Sequence, residues 1–221
     1  MGGAFLPLLL LALAVNAGLL HGLNQDGLYL LDAKRALTVP DGALADWNPS
    51  DATPCSWTGV SCDAGAVTEV SLAGANLAGP FPGALCRLPR LASLDLSTNY
   101  IGPDVAVAGC KKLARLDLSM NYFVGPLPDA LADLPELVYL DLQANNFSGP
   151  IPDSFGKFKK LESLSLVYNL LGGEIPAFLG GVATLRELNL SYNPFASGPV
   201  PAELGGLAAL RVLWLAGCNL G

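Results

Sequence analysis

The chain reads as an α/β solenoid, a stack of short coils that each contribute one strand to a common inner sheet. Three observations predict it. Five asparagines, Asn99, Asn121, Asn145, Asn169 and Asn193, recur at spacings of 22, 24, 24 and 24 residues. Each stands three residues after the second leucine of a Leu-x-Leu pair. Whole units also repeat in kind: LVYLDLQANNFSGPIPDSFGKFKK from Leu137 is followed from Leu161 by LESLSLVYNLLGGEIPAFLGGVAT. A period of this length marks one supersecondary unit that cannot bury its own apolar face and must stack on its neighbours.

The first element is a leader. Ala4 to Leu20 carries no charged side chain, and Val15-Asn16-Ala17 fits the small-residue rule for signal peptidase, so residues 1–22 are expected to be a signal peptide. The alternative, an uncleaved anchor, is short for a span, interrupted by Pro7 and Gly18, and has no basic flank. The positively charged start of a signal is also missing, apart from the amino terminus itself.

Residues 23–66 are expected to form a cap over the first coil. Gln25 to Leu37 places Leu30, Ala33 and Leu37 on one helical face, with Asn24 or Asp26 available to cap its start. Trp47 and Trp57 supply apolar bulk, and Cys55 with Cys62 makes a tight pair. Oxidised, that pair closes a loop worth about 2 to 3 kcal/mol on a chain-entropy estimate. Zinc is the competing reading, and no further Cys or His stands at ligand spacing.

Residues 67–221 then hold about seven repeats, the last incomplete. In the unit from Leu137, the spacing of Leu137, Leu140 and Leu142 points them inward, while Val138, Tyr139, Asp141, Gln143 and Ala144 face out. The asparagines form a structural ladder: where the chain turns in after each strand, a carboxamide can satisfy buried donors and acceptors of neighbouring coils. The Gly-x-Ile-Pro segment ends the inner face, since glycine allows the bend and proline lacks a donor. Ala75 and Cys218 stand where asparagine is expected in the first and last units. The second unit is two residues short, its outer side replaced by GPDVAVAGC, and the sixth, NPFASG, carries one extra residue expected to bulge at the inner-face exit. Cys86 and Cys110 lie in consecutive units and admit two readings, a disulfide or two buried small residues.

The pattern L-x-x-L-x-L-x-x-N-x-L-x-G-x-I-P resembles the plant-specific class of leucine-rich repeats. The cap wording, LNQDGLYLLDAKRAL, LADWN and CSWTGVSC, with the irregular LCRLPRL and AGCKKL and the NPF insertion, is similar to the start of plant leucine-rich-repeat receptor-like kinases of the HAESA-like group. The resemblance runs from about Leu23 to Gly221. It implies a right-handed leucine-rich-repeat solenoid with an amino-terminal disulfide cap, forming the first part of an extracellular hormone sensor. Such sensors bind secreted peptides along the inner face and recruit a smaller leucine-rich-repeat co-receptor kinase. About twenty repeats, a membrane span and a cytoplasmic Ser/Thr kinase make up the whole receptor, so this chain departs by ending after about seven, with an uncovered leucine column.

Composition and motifs bound the function. A net charge of −7 argues against nucleic acid or anionic membrane surfaces. With 52% hydrophobic and 14% charged residues, the chain is apolar, part of it in the leader. No glycine-rich phosphate loop, Val-Ala-x-Lys or Asp-Phe-Gly is present, and the Asp141 to Asn146 match to a kinase catalytic loop has Tyr139 and Leu140 where His and Arg belong. His21 is the lone histidine. The chain is read as non-enzymatic, with no cofactor and no metal, reaching a membrane only through a downstream segment and located in the secretory pathway or outside the cell. The outward column Ser71, Asp95, Asp117, Asp141, Ser165, Asn189, Trp214 puts three carboxylates in line. It is either a solvated face or a groove for a basic or polar peptide lined by Asp95, Asp117, Tyr139, Asp141, Tyr168, Tyr192 and Trp214, since aromatics supply contact area at low entropy cost. Two glycosylation sequons occur, at Asn146 and Asn189, and a glycan at Asn189 would crowd that groove. Three function classes stay open: the amino-terminal part of a peptide-hormone receptor ectodomain, a free-standing apoplastic binder such as a decoy or wall-enzyme inhibitor, and a structural or non-functional truncation.

Overall fold

The computed structural model describes residues 22–221. The signal-peptide reading of residues 1–22 and His21 therefore lies outside the described residues but for Gly22. The chain opens with a helix, Gln25–Ala36, whose start is capped by Asn24: its Oδ1 accepts from the Gly27 N–H at 2.9 Å. Asp26, the other cap candidate, is instead buried and accepts from the Val67 N–H at 2.9 Å, tying the helix to the first coil. Trp47 and Trp57 stack with ring centroids 5.4 Å apart, and each indole N–H has a partner, Thr58 O and Asp51 Oδ2. Cys55 and Cys62 are joined by a disulfide, which removes the zinc reading for the pair.

Val60–Asp63 pairs antiparallel with Ala66–Ser71, and from there the inner sheet grows in parallel, one strand per coil. Its members are Ser93–Asp95, Arg115–Asp117, Tyr139–Asp141, Ser163–Ser165, Glu187–Asn189 and Val212–Trp214. We number the coils one to seven from Ala66–Ser71 onward. Each of these strands but the last buries its central residue, so Leu94, Leu116, Leu140, Leu164 and Leu188 form one continuous apolar column. Every strand in coils two to six is followed by a non-glycine residue with φ between 52° and 58°, at Thr98, Met120, Ala144, Tyr168 and Tyr192. This left-handed step costs roughly 1 kcal/mol for an L-residue, and the adjoining asparagine offsets it. Asn145 shows how. Its amide nitrogen donates to Leu118 O of the preceding coil and to Leu142 O and Gln143 O of its own, while its Oδ1 accepts from the Phe123 N–H.

The segments Leu127-Pro128, Ile151-Pro152, Ile175-Pro176 and Val200-Pro201 open the outer side. Pro128, Pro152, Pro176 and Pro201 precede short 3-10 turns, and each turn drops one apolar side chain, Leu131, Phe155, Leu179 or Leu204, into the core. Coil two has no such turn. Its remodelled outer side is held by a disulfide from Cys86 to Cys110, resolving the two readings of that pair.

A second sheet on the flank was not anticipated from sequence. Val124–Gly125, Asn146–Gly149 and Leu170–Leu171 pair in parallel, and Ala78–Gly79 pairs with Tyr100–Ile101. In coils two to four the residue after the ladder position donates its N–H back one coil: Tyr100 to Leu77 O, Tyr122 to Ile101 O, Asn146 to Phe123 O. In coil six that residue is Pro194, which has no N–H to give. The second sheet stops there, and the extra residue is absorbed before Ala196 rejoins Gly173 O at 2.7 Å. The bulge therefore lies on the flank, beyond the inner face.

The same insertion explains Cys218. Elsewhere the N–H two residues past the ladder position is accepted by the next ladder asparagine, as Leu171 N is by Asn193 Oδ1. In coil six, Phe195 N turns to Asn193 O instead. The next ladder residue then needs only a donor, and the buried Cys218 thiol supplies one to Leu190 O at 3.2 Å. Burial pushes its pKa up, keeping the proton on sulfur. Ala75 needs no carboxamide at all, because the cap rather than a coil precedes it.

Candidate functional site

Strand register sets the inner face. Two outward columns flank the buried leucines: Glu69, Ser93, Arg115, Tyr139, Ser163, Glu187 and Val212 on one side, and Ser71, Asp95, Asp117, Asp141, Ser165, Asn189 and Trp214 on the other. The second column matches the one expected from sequence.

Its carboxylates, however, first serve their own backbone. Each strand ends where the chain must bend, and the side chain at that corner accepts from the N–H two residues on, a turn Asp and Asn are suited to make. Asp95 does so with Ser97, Asp141 with Gln143 and Asn189 with Ser191, at 2.9 to 3.1 Å. Asp117 Oδ1 takes both the N–H and the hydroxyl of Ser119, at 3.1 and 2.7 Å, and the residue is only 8% exposed. The expected open stripe of three carboxylates is thus narrower: Asp95 and Asp141 keep one oxygen off the turn, and Asp117 is largely spoken for.

Arg115, not singled out from sequence, completes the centre. Its guanidinium lies 3.6 Å over the Tyr139 ring and 3.4 Å from Asp117 Oδ2. Tyr139 in turn donates its phenolic O–H to Asp141 Oδ2 at 3.2 Å. Burial, with the nearby Asp141 and Asp117 charges, pushes the Tyr139 phenol up to about 12, so it remains a donor. Burial also raises Asp141, and the Asp117 charge adds to this against the Gln143 N–H bond. The result is a connected patch on coils three and four, Arg115, Asp117, Tyr139 and Asp141, with Asp95 beside it on coil two. The signal for Arg115 was its place in the register next to Tyr139.

The remaining aromatics do not join this patch in one track. Tyr168 and Tyr192 occupy the left-handed step at the rim, their rings coplanar within 2° and 4.4 Å apart. Ala144 precedes them in that column and Gly217 follows, where a β-carbon would come within 2.9 Å of the Tyr192 ring. Trp214 sits in the inner column on coil seven and is exposed.

Two hollows lie off the inner face. One, about 350 Å³, opens on the flank among Thr98, Tyr100, Met120, Tyr122 and Ala144. Another, about 680 Å³, lies beside the coil-six insertion and is walled largely by Pro150, Pro176, Phe178, Pro199 and Leu220. Asp153, Glu174 and Ser197 supply its polar lining. The patch on coils two to four remains the place where charge, hydrogen-bonding capacity and aromatic surface converge.

Family models and relatives agree with this geometry. The model described as Leucine rich repeat N-terminal domain matches residues 23–63, and Leucine Rich Repeat matches residues 112–134, 136–158, 160–182 and 184–207. Receptor-like protein kinase HSL1 of Arabidopsis thaliana is 54% identical over 95 residues, which is 41% of this chain and 10% of that protein. The structure of the Arabidopsis receptor kinase HAESA in complex with the peptide hormone IDA and the co-receptor SERK1 is 50% identical, with a TM-score of 0.87 over 90% of this chain and 34% of that one. The BIR3–SERK2 complex from Arabidopsis thaliana is 32% identical, with a TM-score of 0.67, covering 77% of this chain and 97% of that one. The chain spans about a tenth of HSL1 and about a third of the HAESA chain.

Proposed function

The chain belongs to the leucine-rich-repeat ectodomains of plant receptor-like kinases, and from that premise we propose that it is the amino-terminal, peptide-sensing part of such an ectodomain. The observation that carries the reading is the connected patch of Arg115, Asp117, Tyr139 and Asp141 on the inner face. Its ligand is a short secreted peptide lying extended across the strands. Asp95 and the outer oxygen of Asp141 accept from the peptide's backbone or meet a cationic group, and the Tyr139–Arg115 pair gives flat contact area. Tyr168, Tyr192 and Trp214 extend the contact toward coils five to seven.

HAESA forms a complex with the peptide hormone IDA and the co-receptor SERK1. By analogy, a peptide bound here would be joined by a smaller leucine-rich-repeat co-receptor kinase. The protein enters the secretory pathway through residues 1–22 and acts outside the cell, in the apoplast or on the outer face of the plasma membrane. In this reading the membrane span and kinase belong to downstream segments of a longer receptor, and catalysis is no part of these residues.

The test is calorimetric titration of the secreted, folded chain with a panel of short synthetic peptides, beside Asp95→Asn, Asp117→Ala and Tyr139→Ala variants whose folding is checked by circular dichroism. A peptide that binds wild type is expected to lose about tenfold in affinity to Tyr139→Ala, a contact of roughly 1.4 kcal/mol. Affinity unchanged in all three variants would remove the inner-face reading.

A further inference from the structure

The inner-face column that holds Asp95 begins one coil earlier, at Ser71, and there the groove meets a hollow at the seam between the cap and coil one. The hollow measures about 390 Å³. Small residues make the space: Ala43 and Ala45 of the cap and Ala73 and Ala75 of coil one present only methyl groups. Gly59 brings the two parts together, because the Ser71 N–H donates to Gly59 O at 2.7 Å and a β-carbon on Gly59 would stand 2.3 Å from Ser71 O.

Carboxylates border this alanine surface. Asp46, in the lining, accepts from the Thr58 N–H through Oδ2, which fixes the side chain and leaves its other oxygen off that bond. Asp95 lies one strand on from Ser71, about 4.8 Å along a parallel sheet, and also keeps one oxygen off its turn. Glu69, two residues before Ser71, is exposed. Among the described residues no salt bridge engages Asp46, Glu69 or Asp95. Lys34 donates to Leu44 O at 2.7 Å and is not part of the lining. Leu44, which carries the turn toward Asp46, has φ 54°, and backbone held in this left-handed region clusters at ligand sites. An anionic ligand would meet like charge at this end of the groove.

Resting on the peptide-sensing reading, we propose that the hollow is the subsite for a basic residue at the cap-side end of the peptide. The methylene stem of a lysine or arginine lies on the alanine methyls, and its charged head meets the Asp46 and Asp95 carboxylates. Long basic side chains divide in this way, with the stem on apolar surface and the charge kept at a polar edge. The subsite also sets the peptide's register. Tyr139 lies three strands beyond Ser71, about 14 Å, which an extended chain covers in about four residues. The basic residue and the side chain that lies on Tyr139 are therefore about four positions apart.

The experiment titrates the secreted, folded chain by calorimetry with octapeptides blocked at both termini. Each carries Lys, Arg, Gln or Glu at one end or the other, with Phe four residues away and Ser or Pro elsewhere. Lys and Arg peptides are expected to bind wild type about tenfold tighter than the Gln peptide, and the Glu peptide most weakly. Asp46→Asn, which retains an acceptor for the Thr58 N–H, and Ala73→Leu, which fills the hollow from an exposed position, should each erase that preference and leave the Gln peptide's affinity unchanged. Equal affinity of the Lys, Arg and Gln peptides for wild type, or a preference that survives both variants, overturns the subsite. If Tyr139→Ala still weakens those peptides, the inner-face reading stands without it; binding by none of the set overturns both.

Discussion

Asn145 holds four backbone groups on two coils with one side chain, and three of the four bonds are buried away from water. Truncation to alanine strands several of them together, each worth about 1 to 3 kcal/mol when left unpaired. Asn145→Ala is expected to lower unfolding free energy by about 3 kcal/mol or more, measured by urea denaturation. A second residue-scale prediction follows from Asp141. Its folded pKa lies above the ordinary 3.8, so its contribution to stability is fully present below that value and is lost as pH rises through the raised one. Asparagine already fills the equivalent corner in coil six, where Asn189 caps the turn. Asp141→Asn should therefore equal or exceed wild type in thermal stability at pH 7, and any excess should vanish on titration below pH 3.8. The ladder was legible in the sequence because its spacing is regular. The turn-capping role of the Asp column was not, because outward-facing Asp residues read the same whether their oxygens meet water or their own backbone.

At the scale of the element, each coil is closed by the same parts, and the exceptions reveal what those parts do. Coil two has lost its 3-10 turn and is pinned by the Cys86–Cys110 disulfide, which spans 24 residues. Constraint of the unfolded chain by a loop of that size is worth about 3 kcal/mol. A Cys86→Ala, Cys110→Ala double variant is expected to lose about that much, seen as a fall in melting temperature, while the cap disulfide remains. Coil six shows the opposite exchange. Pro194 removes a strand donor, Phe195 redirects its N–H to Asn193 O, and Cys218 suffices where an amide stood before. The insertion and the odd ladder cysteine were both visible as irregularities in the sequence. That one permits the other is a matter of hydrogen bonds between residues 23 positions apart, which only the register brings together.

Across the whole molecule the contacts run between neighbouring coils, so stability should vary along the axis. The central coils are covered on both sides, with Leu140 and Leu164 at most 1% exposed, whereas Leu213 in coil seven is 37% exposed. Hydrogen exchange of this 221-residue chain is expected to be slowest in the strands of coils three to five and fastest at Val212–Trp214; uniform protection would contradict a stack of nearest-neighbour units. The exposed ion pairs between coils, such as Lys160 with Glu136 and Arg186 with Glu162, add little to this, since solvent screens them. By itself the sequence determined the repeat, the number of coils, the buried leucine column and the cap, because each of these depends on periodicity or on residues close together in the chain. Only the tertiary structure decided the second sheet, the Arg115–Tyr139–Asp141 patch, the Cys86–Cys110 pairing and the hollow between the cap and coil one. All four are made between residues about one coil apart, where the precise height and turn of the stack determine which atoms meet.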